Sequence, residues 1–196
     1  MNKTKKLLID ITFELLYKKG YCATSITDIL KIAELTKGAL YYHFLTKDTL
    51  VLATMEHYIE EFVNSHWVNP IQDSQNPIEA IITQINSHYA LYEDKESIFD
   101  VKHGCPLNNF IMDMSDKNEE FFKYLESAYK RWQESIEKAL TKAQILKQTK
   151  TEFDAKEQAM FIISTIEGSI CSAKAYNNLE TLNSNYKNLI KYISSL

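Results

Sequence analysis

Apolar residues recur at steps of three and four along almost the whole of this 196-residue chain. That period places them on one side of an α-helix and on no single face of a strand. The first stripe is Leu8, Ile11, Leu15 and Leu16, closed by Gly20 as a C′ residue, which predicts a helix from Thr4 to Lys19. Leu50, Val51, Thr54, Tyr58 and Phe62 mark a helix from Thr46 to about Trp67, followed by a polar break over residues 69–76. Asn76 with Pro77 opens the next, striped by Ile78, Ile81, Ile82, Ile85, Tyr89 and Tyr92. A short helix starts at Pro106 and fades near Ser115, and a long one carries Phe121, Leu125, Tyr129, Trp132, Ile136 and Leu140. Residues 154–176 are apolar nearly all round, the mark of a helix buried on more than one side. With 4 Gly and 3 Pro, the chain lacks the turns that an all-β fold needs. Two short helices between residues 25 and 43, and a last one carrying Leu179 to Leu196, bring the expected number to nine, in one domain or two small ones.

Those two short helices carry the functional signal. Ser25 is a good N-cap, and Ile26, Ile29, Leu30 and Ala33 follow on one face. The pattern breaks at Glu34–Leu35, and Thr36 caps a second segment through Tyr42. A helix this short cannot stand alone in water. One face must be pinned by neighbours, leaving the other free to enter a groove, which is the logic of a helix-turn-helix. Lys37 in the first turn can reach a phosphate or a guanine edge. Gly38 and Ala39 are small enough for backbone to approach bases. Tyr41 projects a ring and hydroxyl, and Tyr42 and His43 can bond phosphates that set register. Tyr42 can also be read as a core ring. Lys47, and the helix start at Ser25 and Thr27, are further candidate phosphate contacts. Leu40 and Phe44 are expected inside.

At these residues the chain resembles the TetR/AcrR family of bacterial repressors. The matching runs are Gly20-Tyr21-Cys22-Ala23-Thr24-Ser25-Ile26-Thr27-Asp28-Ile29 and Gly38-Ala39-Leu40-Tyr41-Tyr42-His43-Phe44-Leu45-Thr46-Lys47-Asp48-Thr49-Leu50. The resemblance covers about the first quarter of the chain, plus a local motif at Gly104-Cys105-Pro106-Leu107. It implies an all-α protein: a helix-turn-helix DNA-binding domain over residues 1–47, then a helical effector-binding and dimerisation domain over residues 48–196. The DNA contacts it implies are Ser25, Thr27, Thr36, Lys37, Gly38, Ala39, Tyr41, Tyr42, His43 and Lys47. Many relatives carry Arg in the head. Here Lys stands alone, without bidentate geometry.

Net charge is −4, which alone argues against a DNA binder, but it is unevenly spread. The first 50 residues hold eight lysines against five acidic residues, a net +3, so the remainder carries −7. A basic head on an acidic body suits phosphate contact by the head. No apolar run approaches the roughly 20 residues of a membrane span, and the basic start is not followed by a signal-peptide core. A cytoplasmic protein is expected. Cys22, Cys105 and Cys171 are too widely spaced for a zinc site or a disulfide framework, and no metal or cofactor is assigned.

Three further expectations concern the body. Family members hold an effector among these helices, and the candidates here are Tyr58, Phe62, Tyr89, Cys105, Phe110, Met114, Tyr129, Trp132 and Lys174. Ordinary core packing also accounts for the rings. Cys105, before Pro106, would sit at a helix N-terminus, which favours a thiolate. It is either a modifiable sensor or a buried, inert thiol. Lys174 would face a ligand, reach the Cys105 region or extend to solvent. The last helix carries Leu182, Tyr186, Leu189 and Ile193 in an a/d seam. With Ile163, Ile166 and Ile170 this seam is expected to close a homodimer as a four-helix bundle. The expected function is a transcriptional repressor that leaves a palindromic double-stranded operator when a small apolar or aromatic effector binds or Cys105 is modified. A protein-binding helical adaptor is the alternative. A helical enzyme would need a convergent acid/base or metal constellation, and none stands out.

Overall fold

The computed structural model describes residues 2–196. It contains ten α-helices and one π-helical segment, with no strand among the described residues. In order they are α1 (Lys3–Lys19), α2 (Ile26–Ala33), α3 (Lys37–His43), α4 (Lys47–Phe62), a π-helical turn (Val63–Val68), α5 (Asn69–Gln72), α6 (Pro77–Glu93), α7 (Pro106–Met114), α8 (Glu119–Ile145), α9 (Ala155–Tyr176) and α10 (Leu179–Ser195).

The expected polar break after Trp67 is partly helical instead. Pro70 has no N–H to continue an α-helix. The chain widens into the π-turn, in which the Asn69 N–H bonds the Asn64 carbonyl, and then tightens into α5. Val63, Trp67 and Ile71 are buried by this path, so apolar contact holds the chain helical where its composition reads as loop.

The chain folds as two compact units, one comprising the residues up to Glu61 with Pro106–Ser127, the other Phe62–Cys105 with Ala128–Leu196. This division by contact is distinct from the functional boundary expected at residue 47. In the first unit Leu8, Ile9 and Leu15 of α1 meet Ile29, Leu30 and Ala33 of α2, Leu40 of α3, Phe44 and Leu50 in one apolar cluster. Gly20 ends α1 at φ 80°, a conformation that disfavours a side chain. A Cβ there would also lie 2.9 Å from an Asp113 carboxylate oxygen, which accepts from the Tyr21 N–H.

In the second unit α10 packs on both α9 and α6. Leu182, Tyr186, Leu189 and Ile193 are buried there, as are Ile163, Ile166 and Ile170 of α9. All seven residues expected at a dimer seam are thus covered within the single chain. A helical stripe records that a face is covered, not by which molecule.

Candidate nucleic-acid interface

Three short-range devices set the helix-turn-helix. Ser25 Oγ accepts the Asp28 N–H at 3.0 Å while the Asp28 carboxylate faces the Ser25 N–H at 3.4 Å, a reciprocal capping box. Glu34 ends α2 in the left-handed region at φ 54°, its N–H bonded to the Leu30 carbonyl. Thr36 then caps α3, accepting the Ala39 N–H at 3.3 Å. The turn is thus closed by its own backbone, and α3 need bury only Leu40, with Phe44 following.

What remains of α3 is an open surface. Lys37 and Gly38 are exposed, Tyr41 is 45% exposed, and Tyr42 is 83% exposed with its ring edge-on to His43 at 4.9 Å. The core reading of Tyr42 is therefore excluded. Thr36 is exposed, and Ala39 and His43 are half-buried. Gly38 has ordinary helical backbone, and a Cβ there would meet only Thr36 Oγ1 at 3.8 Å. Nothing inside the chain asks for glycine at this position.

Two candidate phosphate contacts look different in three dimensions. The Lys47 ammonium donates to the Tyr21 carbonyl at 2.6 Å and lies 3.7 Å from the centre of the Tyr21 ring. Burial lowers its pKa. Lys47 thus fastens the α1–α2 turn to the start of α4, and its charge is already engaged. At the start of α2 the Ser25 hydroxyl donates to Asp28 at 2.8 Å, and the Ser25 hydroxyl and N–H together hold that carboxyl below the usual range. The Asp28 carboxylate takes up the Ser25 N–H and hydroxyl, so Ser25 is first a structural cap. Thr27 beside it is exposed.

The nine candidate effector residues fall into different units. Tyr58, Phe110 and Met114 belong to the first, where Tyr58 stacks on Phe13 at 4.0 Å and bonds Asp10 at 2.8 Å, and Phe110 meets Phe13 edge-on. Met114 is fully buried there. Phe62, Tyr89, Cys105, Tyr129, Trp132 and Lys174 belong to the second. Cys105 is buried, at 4% exposure, directly before α7. Lys174 is exposed and donates to the His103 carbonyl at 3.1 Å, so it reaches the chain next to Cys105. Sequence reading passed over Glu167, a buried acid on α9, and His88, a buried imidazole whose Nδ1 meets the Tyr186 hydroxyl at 3.1 Å. The available signal for Glu167 was a single acid inside the apolar run from Met160 to Ile170.

No helix among the described residues is long and apolar enough to cross a membrane. The chain is similar to an uncharacterised HTH-type transcriptional regulator from the lacX 3' region of Lactococcus lactis subsp. lactis, 29% identical over 189 residues, which is 95% of this chain and 91% of the relative. It is similar also to the HTH-type transcriptional repressor DhaR of Mycobacterium sp. (strain GP1), 21% identical over 89% of this chain and 84% of the relative. The fold matches the crystal structure of a TetR transcriptional regulator from Chloroflexus aurantiacus J-10-FL with a TM-score of 0.85, at 24% identity, over 98% of this chain and 94% of that one. A family model for bacterial regulatory proteins of the tetR family matches residues 8–54. A second, for the transcriptional regulator LmrA/YxaF-like C-terminal domain, matches residues 77–187. That second match spans more than half of the chain, and with the first it shows that the protein belongs to the TetR family of DNA-binding transcriptional regulators, which are not enzymes.

Proposed function

We propose that the protein is a repressor that binds a palindromic operator as a homodimer and leaves it when a small effector enters the second unit. The observation that carries the DNA reading is α3, a helix of 7 residues with Leu40 buried and Lys37, Gly38, Tyr41 and Tyr42 turned outward. Lys37 and Tyr41 read base edges, and Tyr42, His43 and Thr36 hold phosphates. Repression is supported by similarity to relatives such as DhaR.

The dimer closes through the outer faces of α9 and α10 rather than their buried seam. Phe161 is 49% exposed there and packs edge-on to Tyr192 at 5.1 Å. Gly168, with open space where a Cβ would be, lets a second helix approach closely. Two-fold symmetry then sets the recognition helices about 34–36 Å apart, or a multiple of that.

Release follows from an effector with different affinity for the DNA-bound and free arrangements. Its candidate lining in the second unit is aromatic: Phe62, Tyr89, Tyr129 and Trp132. Modification of Cys105 is the less favoured trigger, because its thiol is buried and lies against the carboxyl of Glu167, whose charge opposes a thiolate.

The test is a binding titration on DNA from upstream of the gene and on random DNA of equal length, across salt. The reading expects a preference for the upstream DNA of at least about a thousandfold and a steep fall with salt. Equal affinity for both DNAs would refute it. Cys105→Ser should release the operator as the wild type does; loss of release in that variant would restore the thiol as the trigger.

A further inference from the structure

We propose that Glu167 is the charged anchor of the effector site and that the effector is an aromatic or apolar cation, an amine or a quaternary ammonium. This rests on the effector-release reading above for its consequence at the operator, though not for the binding itself.

Glu167 lies in the middle of α9, on the face it shares with Ile163, Ile166 and Ile170, and is only 8% exposed. Apart from the Cys105 thiol, neither carboxyl oxygen has a hydrogen-bond partner among the described residues. The groups around it are committed elsewhere or weak. The Tyr186 hydroxyl is paired with His88, the Tyr129 hydroxyl with the Ser164 side chain, and both rings feel the Glu167 charge. The Cys105 thiol favours the charged form, but a thiol is a poor donor. Lys174, two turns further along α9, gives a hydrogen bond to His103 instead. Burial pushes the Glu167 carboxyl up to about 7.

Of the nearby rings, Tyr129 and Tyr186 feel the charge of this acid. Tyr129 contacts Trp132 at 6.1 Å, and Trp132 contacts Trp67 at 4.8 Å and 32°. The indole N–H groups of both tryptophans are buried and without an acceptor. Buried polar groups are nearly always paired, so a carboxyl with no better donor than a thiol calls for an explanation, as do the two unpaired indoles. It costs stability that no contact within the chain offsets. A flat cation supplies what is missing, with its charge for the carboxylate and an apolar body, itself attracted to ring faces, for the walls. An anionic effector would meet Glu167 as a like charge, and a neutral hydrocarbon would leave the acid as it is.

The experiment uses two fluorescent probes with one skeleton. Thioflavin T is cationic, and 2-(4-dimethylaminophenyl)-6-methylbenzothiazole lacks the N-methyl group and its charge. Each is titrated into the full chain, as wild type and as Glu167→Gln, with thermal unfolding of both proteins recorded alongside. The wild type should bind the cation at least about tenfold more tightly than the neutral probe. Glu167→Gln should bind both alike and unfold at the same temperature or higher. The proposal is overturned if neither probe binds the wild type, if the wild type shows no preference, or if the preference survives in Glu167→Gln. It is also overturned if that variant unfolds several degrees lower, which would mean that the carboxylate has a structural partner. Operator release separates the two readings. A cation preference without release would refute release by an effector and leave the cation site standing. Release by both probes alike would do the reverse.

Discussion

Gly38→Ala tests whether the outward face of α3 is shaped for DNA or merely left over by folding. Glycine inside a helix costs roughly 0.5–1 kcal/mol relative to alanine. At position 38 nothing offsets that cost within the chain. The added Cβ would have Thr36 Oγ1 at 3.8 Å as its nearest neighbour, an ordinary contact, and the backbone is already helical. The variant should therefore fold and gain part of that amount, since the site lies in the first turn. For a chain of this size, that is a rise in unfolding temperature of about 1–4 °C. If the backbone at 38 rests on base edges, the same methyl lies in the interface and removes the fit of neighbouring groups as well. A misfit of one contact costs roughly 1–3 kcal/mol, or a factor of about 5 to 150 in operator affinity. The assay pairs fluorescence-anisotropy titration of labelled operator with thermal unfolding of the same sample. The diagnostic result is opposite signs: stability up, affinity down. Unchanged affinity would mean that DNA does not approach the backbone at Gly38. Loss of both would mean that the glycine serves the fold after all.

Lys47→Ala should lower stability by about 1–2 kcal/mol, because it removes the bond to the Tyr21 carbonyl and the cation over the Tyr21 ring; an unchanged unfolding temperature with only a flatter salt slope would return Lys47 to the phosphate contacts. Ile193→Asp should prevent folding, since the side chain is fully buried in its own chain, whereas Phe161→Glu should give a folded monomer in sedimentation; a folded, monomeric Ile193→Asp would show that the seam belongs to the dimer. Glu167 is raised from 4.5 to about 7, so the native chain keeps a proton that the unfolded chain has released, and stability should fall as pH rises through that window. The loss is at most ~3 kcal/mol, and Glu167→Gln should remove that slope; identical pH profiles for the two proteins would refute the raised carboxyl.

The recognition helix could be read from sequence because its determinants are local. Ser25, Glu34 and Thr36 act on backbone groups within five residues, and cap chemistry is carried by residue type. The apolar stripes were legible for a similar reason, since any helix that covers a core must repeat near 3.6 residues. What stayed hidden was the far end of each long-range contact. Lys47 looked like a free cation because nothing in its neighbourhood of sequence announces the Tyr21 carbonyl 26 residues earlier. The stripe Leu182, Tyr186, Leu189, Ile193 looked like an oligomer seam because a heptad pattern is identical whether α6 and α9 or a second subunit fills it.

The same ambiguity makes dimer and effector residues harder to read from a sequence than an exposed helix face. A DNA-reading helix leaves polar and small residues outside, and Lys37 in particular is a poor core former. A dimer face and an effector wall are made of the same apolar residues as the core, and only the fold separates them. In α9 the separation is by helical angle. Ile163, Ile166 and Ile170 turn inward, and Phe161, Thr165 and Gly168 turn outward or toward the rim. Glu167 sits one residue from Gly168 and falls on the inner side. A polar residue among apolar ones would be expected on the outer side of such a helix, so its inward position is the one place on α9 where burial runs against residue type. Departures of that kind cost folding free energy, and a chain keeps them where a ligand returns it.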